Sequence, residues 1–279
     1  MKWAICNETF QDWPIERAFR FAAECGYRGV EIAPFTLGKY AHDIEPVQRE
    51  SVRRLAEAEG LEVVGLHWLL AFTHGYYLTS PDAEVRRATA EYLGELARLC
   101  RDLGGKILVL GSPKQRNLLP GVSHQQAMQY AADVIRRVAQ VLVDCQVLLA
   151  IEPLGPEEGD FLNTAALAVE LIDMIDCPAV ALHLDVKAMA SETIPIPDLI
   201  RQYAGRTVHF HANDANRRGP GMGQIDFVPI LQALKETGYQ GWVSVEVFDY
   251  SPGVEALARD SIAYLQKCWS VVCGEGAPG

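Results

Sequence analysis

The chain predicts an α/β fold: a single closed (β/α)8 TIM barrel. Three observations carry this. Short apolar runs alternate with amphipathic stretches eight times along the 279 residues. A glycine repeatedly closes an amphipathic stretch just before the next apolar run. Four of the runs in the second half end on an ionisable side chain. Apolar runs of this length read as strands of a parallel sheet, covered on both faces. Strand–helix alternation without a domain-scale linker favours a closed barrel over an open doubly wound sheet. No Gly-x-Gly-x-x-Gly follows the first run, which weakens the dinucleotide-binding alternative. The length suits one large domain, taken over 1–273, with 274–279 as a disordered tail.

The elements follow in order. Residues 3–6 form the first strand. Phe21 to Gly26 ends a helix and leads into a strand over 30–33, and Leu55 to Gly60 leads into 62–67. Leu99 to Gly105 precedes a fourth strand at 106–111. Strands at 147–151, 180–185 and 207–211 come next, and Leu234 to Gly238 leads into the last, 242–247. Glycine just past a helix supplies the left-handed residue that turns the chain back to the sheet. Between strands, Val85, Ala88, Tyr92, Leu96 and Leu99 share one helical face; Ala127, Ala131, Val134, Val138 and Leu142 share another.

Composition narrows the function. The formal charge of −11 argues against non-specific nucleic-acid binding, which needs a basic face. It leaves room for a local basic pocket. No stretch of 18 or more apolar residues is present, so no membrane span is expected. The opening residues lack the long apolar segment of a signal peptide. The seven cysteines are odd in number, scattered and without a Cys-x-x-Cys pair. They read as reduced thiols, and the expected location is cytoplasmic.

The four special strand ends are Glu152, Asp185, His211 and Glu246. Their spacings of 33, 26 and 35 residues each match about one strand–helix unit. An ionisable group is costly in a core unless it is paired or bound to a metal. At equivalent ends of barrel strands, these four converge on one point. Three carboxylates and an imidazole suit a divalent ion, Mn²⁺ foremost, with Mg²⁺, Co²⁺ or Zn²⁺ as alternatives. The competing reading of each residue alone is a buried acid paired to a neighbouring base. Side-chain alternation carries Ala150, His183, His209, Ser244 and Phe248 to the same inner face. His183 and His209 then read as hydrogen-bonded barrel residues below the metal.

The segments Ile151-Glu152-Pro153-Leu154, Leu184-Asp185, His209-Phe210-His211 and Val245-Glu246-Val247-Phe248 resemble the sugar isomerase/epimerase family with a xylose-isomerase-like barrel. The similarity spans nearly the whole chain and runs closest to the D-tagatose and D-psicose 3-epimerases. It implies that Glu152, Asp185, His211 and Glu246 bind the metal. It also implies that the two glutamates shuttle the proton, and that Glu158 and Arg217 contact the sugar. Homodimers or homotetramers are common in that family. The chemistry follows from the residue types. A metal bound by a ketone and its neighbouring hydroxyl acidifies the adjacent C–H. One carboxylate removes that proton, leaving an enediolate, and a second returns it on the opposite face. Return to the same carbon gives epimerisation, return to the neighbouring carbon gives isomerisation, and a leaving group beta to the carbonyl gives elimination.

The chain departs from that pattern at Ala188, where the epimerases place a substrate-contacting histidine. Lys187 stands beside it, either reaching the pocket or solvated. His67 ends the third strand and either orients a substrate hydroxyl or is a satisfied structural histidine. Trp68 and Phe248 suit an apolar wall for a sugar ring face or an aglycone. The loop Gly111 to Asn117 carries Lys114 and Arg116, which suit a carboxylate or phosphate or an ordinary polar loop. Arg218 reads as solvated. Glu31 ends the second strand, either bonding polar groups in the mouth or forming a salt bridge. The leading expectation is a metal-dependent ketose isomerase or 3-epimerase acting on a small-molecule sugar. A lyase or dehydratase on a 3-keto-glycoside is the first rival. An endonuclease IV-like hydrolase and a non-catalytic sugar-binding barrel rank lower.

Overall fold

Eight strands pair side by side in parallel and the first closes on the last. The computed structural model describes residues 1–274. The strands are β1 (Lys2–Cys6), β2 (Gly29–Ile32), β3 (Glu62–Leu66), β4 (Ile107–Leu110), β5 (Leu148–Ile151), β6 (Val180–Asp185), β7 (Thr207–Ala212) and β8 (Trp242–Val245). Closure is visible at Ile5, which lies in register with Val30 of β2 on one side and Val245 of β8 on the other. The helices are α1 (Ile15–Cys25), α2 (Pro46–Ala58), α3 (Ala83–Asp102), α4 (His124–Cys145), α5 (Ala165–Ile175), α6 (Val186–Met189), α7 (Ile196–Tyr203), α8 (Phe227–Glu236) and α9 (Val254–Cys273).

Local chemistry accounts for the boundaries. Gly26 ends α1 at φ 104°, the left-handed residue the helix–glycine–strand phrase requires. Asp82 and Asp226 accept backbone N–H groups at the starts of α3 and α8. Ser123 and Gln126 cap α4 reciprocally. On α3 the buried face carries Tyr92, Leu96 and Leu99 as expected, while Val85 and Ala88 near its start are half-buried. All five of the α4 residues expected on one face are buried.

Two cores result. A large one lies between strands and helices; a smaller one, with Ala4, Val64, Ile107, Val109 and Ala150, fills the barrel interior. That interior packing leaves the carboxyl ends of the strands as the open face. Gly274, expected to begin the tail, instead caps α9 at φ 74°. The rest of that expected tail, 275–279, lies outside the described residues. All seven cysteines are free thiols. Among the described residues, no helix is long and apolar enough to cross a membrane.

Candidate active site

Each of the four strand-end residues arrives where strand geometry sends it. Glu152 directly follows β5, and its backbone N–H donates to Leu110 O of β4 at 3.3 Å. Asp185 ends β6 and caps α6, accepting from Ala188 N at 2.7 Å and from the Asn213 amide at 2.6 Å. His211 lies in β7, and Glu246 follows β8. One ligand atom from each of Glu152, Asp185, His211 and Glu246 lies within 4.8 Å of every other. All four are buried.

Three further groups of potential ligands lie nearby: Cys6, Glu8, His67 and Glu246; Cys6, Glu31 and His211; and His183, His209 and His211. Two of these three contain a close carboxylate–histidine pair. Glu8 Oε2 meets His67 Nε2 at 2.6 Å. Glu31 Oε2 meets His209 Nε2 at 2.7 Å, and its Oε1 meets His211 Nε2 at 3.1 Å. These carboxylates already have a basic partner. Among the described residues, no side chain or backbone N–H donates to the Glu152 carboxylate. Burial pushes its pKa well above the ordinary value, and Glu246 and Asp185 push it further. Burial also raises the Asp185 pKa: Lys187 opposes the shift and Glu246 adds to it. Three buried carboxylates around one imidazole, with Glu152 lacking any donor, fit a divalent cation.

The Glu31 carboxylate holds His211 from behind, on the ring nitrogen opposite the one facing Glu246 at 2.9 Å. Burial works against the charge on Glu31, yet His209 and His211 hold its pKa well below the usual carboxylate range. This is how a buried acid fixes the ring orientation of a histidine. His183 departs from expectation. It is buried in the barrel, but neither ring nitrogen has a hydrogen-bond partner. Burial and the neighbouring His211 and His209 keep its pKa well below the ordinary value. Ala150 and His209 face inward as alternation requires.

A glycine makes room for the first glutamate. A Cβ on Gly111, just past β4, would stand 1.6 Å from Glu152 Oε2. Arg116 in the same loop is corrected from mouth residue to internal strut. It is buried, and its Nη1 donates to Leu110 O at 3.2 Å and Glu152 O at 2.6 Å, tying β4 to β5. Lys114 is exposed.

Lys187 is not solvated. Its side chain is 12% exposed and its Nζ meets Glu158 Oε2 at 2.5 Å. Burial opposes its charge, but the carboxylates of Asp185 and Glu158 prevail and raise its pKa. The same Nζ lies 4.6 Å from the centre of the Phe248 ring. Arg217 is exposed, with φ 70°, and its guanidinium stands 5.9 Å from that ring. Arg218 is paired with Asp249 at 2.8 Å. Trp68 donates its indole N–H to Glu246 Oε1 at 2.9 Å. His67 sits deeper, buried against Glu8, with no hydrogen-bond partner on Nδ1. Residue-type reasoning overlooked Glu8 and Asn213. Glu8 stands two positions past β1, and Asn213 two past His211, so the strand-end rule was the available signal for both.

The family described as xylose isomerase-like TIM barrel matches residues 19–268. The chain belongs to this family. Among curated relatives, a probable ketose 3-epimerase of Synechocystis sp. (strain ATCC 27184 / PCC 6803 / Kazusa) is 28% identical over 270 residues, 91% of either chain. A D-psicose 3-epimerase of Ruminiclostridium cellulolyticum is 28% identical over 245 residues, covering 85% of this chain and 80% of that one. A solved D-psicose 3-epimerase with D-tagatose from Clostridium cellulolyticum H10 superposes with a TM-score of 0.85 at 22% identity, over 96% of this chain and 99% of the other. Within the xylose isomerase-like barrels, then, this chain is an enzyme of the isomerase kind, and its relatives are named for sugar epimerisation.

Proposed function

We propose that the protein is a ketose epimerase or isomerase that moves a proton beside a ketone, with Glu152 and Glu246 as the acid/base pair. The observation that carries this reading is the convergence of two glutamates, an aspartate and a histidine from four strand ends within 4.8 Å. A divalent ion bound there, Mn²⁺ foremost and Mg²⁺, Co²⁺ or Zn²⁺ as alternatives, supplies polarisation of the carbonyl and a counter-charge for the oxyanion.

The remaining steps belong to the protein. Glu152 and Glu246 leave β5 and β8 and approach the same space from different sides of the barrel. One takes the proton from the carbon next to the ketone, which flattens that carbon. The other returns a proton to the opposite face and inverts it. Trp68 fixes the Glu246 carboxylate through the indole N–H. The Lys187–Glu158 pair offers a donor and an acceptor to sugar hydroxyls, and Arg217 stands exposed at the mouth to meet them. Phe248, beneath both cations, offers a ring face to the substrate carbon chain. The partner is a small keto sugar; a net charge of −11 disfavours nucleic acid.

Replacing Glu246 with Gln keeps the shape of the side chain and removes the base. Substrate-dependent exchange of the carbon-bound proton with D₂O is expected to fall by about 10²–10⁴-fold. Full exchange in that variant refutes the assignment. Elimination from a 3-keto-glycoside is the second reading, since it starts with the same proton removal. It is favoured by Ala188, a small residue where the epimerases place a histidine. Release of an aglycone on incubation distinguishes it.

A further inference from the structure

We propose that Phe248, Trp68 and Phe72 form a second subsite, which binds a non-reacting ring attached to the substrate. The preferred substrate is then a keto sugar carrying a glycosidically linked ring, sugar or aryl, in place of a free ketose. This rests on the reading of Glu152 and Glu246 above.

The row starts at the chemistry and runs outward. Trp68 is bonded to Glu246 at 2.9 Å. Its ring lies 6.1 Å from Phe248 at an interplanar angle of 28°, and 6.3 Å from Phe72 at 20°. Face-to-face contact brings carbon atoms to about 3.5–4.0 Å. Near-parallel rings with centres this far apart do not cover one another fully: Trp68 and Phe248 are half-buried and Phe72 is exposed. Phe35 buttresses the row edge-on, 5.8 Å from Trp68 and 4.9 Å from Phe72.

A core role does not account for Phe72. It is 65% exposed and is the one aromatic among the exposed large hydrophobics of the described residues. Trp68 and Phe72 also hold left-handed backbone, at φ 53° and 60°. Bulky residues rarely adopt that conformation, and it is retained where function over-determines it. Phe248 also has charge beside it, with Lys187 Nζ at 4.6 Å and the Arg217 guanidinium at 5.9 Å from the ring centre. The mouth thus has a polar half suited to the hydroxyls of a reacting sugar and an apolar half that continues past it. An aromatic shelf contiguous with a polar reaction site recognises the C–H face of a sugar or the face of an aryl ring.

The test compares D-fructose with phenyl 3-keto-β-D-glucoside in the metal-loaded enzyme. The phenyl compound is expected to show a KM about tenfold lower, and Phe72→Ala to erase that advantage. Val271→Ala, on an exposed apolar residue of α9, serves as the control and leaves both values unchanged. Equal KM values in the unaltered enzyme, or equal losses on both substrates in Phe72→Ala, overturn the subsite. Calorimetry with phenyl β-D-glucopyranoside, cellobiose and methyl β-D-glucopyranoside needs no turnover. Tighter binding of phenyl glucoside or cellobiose that depends on Phe72 supports the subsite, and the stronger of the two identifies the ring. If no keto sugar exchanges its proton while this dependence persists, the proposed chemistry fails and the subsite stands. A drop in sedimenting mass in Phe72→Ala with unchanged binding assigns the ring to a contact between copies of the chain and overturns the proposal.

Discussion

A single hydrogen at position 111 decides whether Glu152 can occupy its place. The Cβ of an alanine there would fall 1.6 Å from a carboxylate oxygen. The carboxylate is the free end of a flexible side chain, so it swings aside and the barrel survives. Gly111→Ala is expected to keep the native circular dichroism spectrum and lower kcat/KM by about 10²-fold, the lower end of what a positioned acid/base group contributes. Near-normal turnover in that variant would show that Glu152 need not stand where it does. The quartet itself was legible in sequence because all four members end apolar runs, where one charge alone could be a paired acid but four together converge on one rim. Arg116 was not. It lies in a polar loop whose composition suits solvent, and only the path of that loop takes the guanidinium beneath the strand ends to two backbone carbonyls. Lys187 misled in the same way, since a lysine two residues past a strand gives no sign that Glu158, 29 positions earlier, will meet it.

At the scale of elements, the strands and their order were readable, and their ends less so. The third strand was expected over 62–67 and the eighth over 242–247; they pair only to Leu66 and Val245. The extra residues lie at the carboxyl ends, where a last backbone N–H still donates to the neighbouring strand while the chain turns away to build the site. His67 and Glu246 are such residues. Helix ends obey local chemistry more closely. Ser123 and Gln126 satisfy the first turn of α4 reciprocally. Ser123→Ala is expected to cost about 1 kcal/mol. In a chain of this size that lowers the melting temperature by about 2–4 °C, read by thermal denaturation with activity unchanged at 25 °C. No loss of melting temperature would show that the cap is replaced by water.

For the whole molecule, the proposed cation site would act as a closing device as well as a reaction centre. The four proposed ligands come from the ends of β5, β6, β7 and β8, so an ion bound there would tie together four neighbouring strand ends. An ion bound only by the folded state, at about 100 times its dissociation constant, adds about 2.7 kcal/mol of stability. Chelation with EDTA is expected to abolish proton exchange and lower the melting temperature by several degrees, with Mn²⁺ restoring both. An unchanged melting temperature together with full activity after metal removal would sink the cation reading. The barrel class, its eight strand–helix units and the meeting of the four strand-end residues were determined by the sequence alone. They rest on periodicity and burial, which are local properties of a run of residues. Tertiary structure decided the pairing of Glu8 with His67 and of Glu31 with His209 and His211. It also decided the burial of Arg116 and the aromatic row from Glu246 to Phe72. Each of these joins residues whose separation along the chain carries no period, and only the closing of the barrel sets the distance between them.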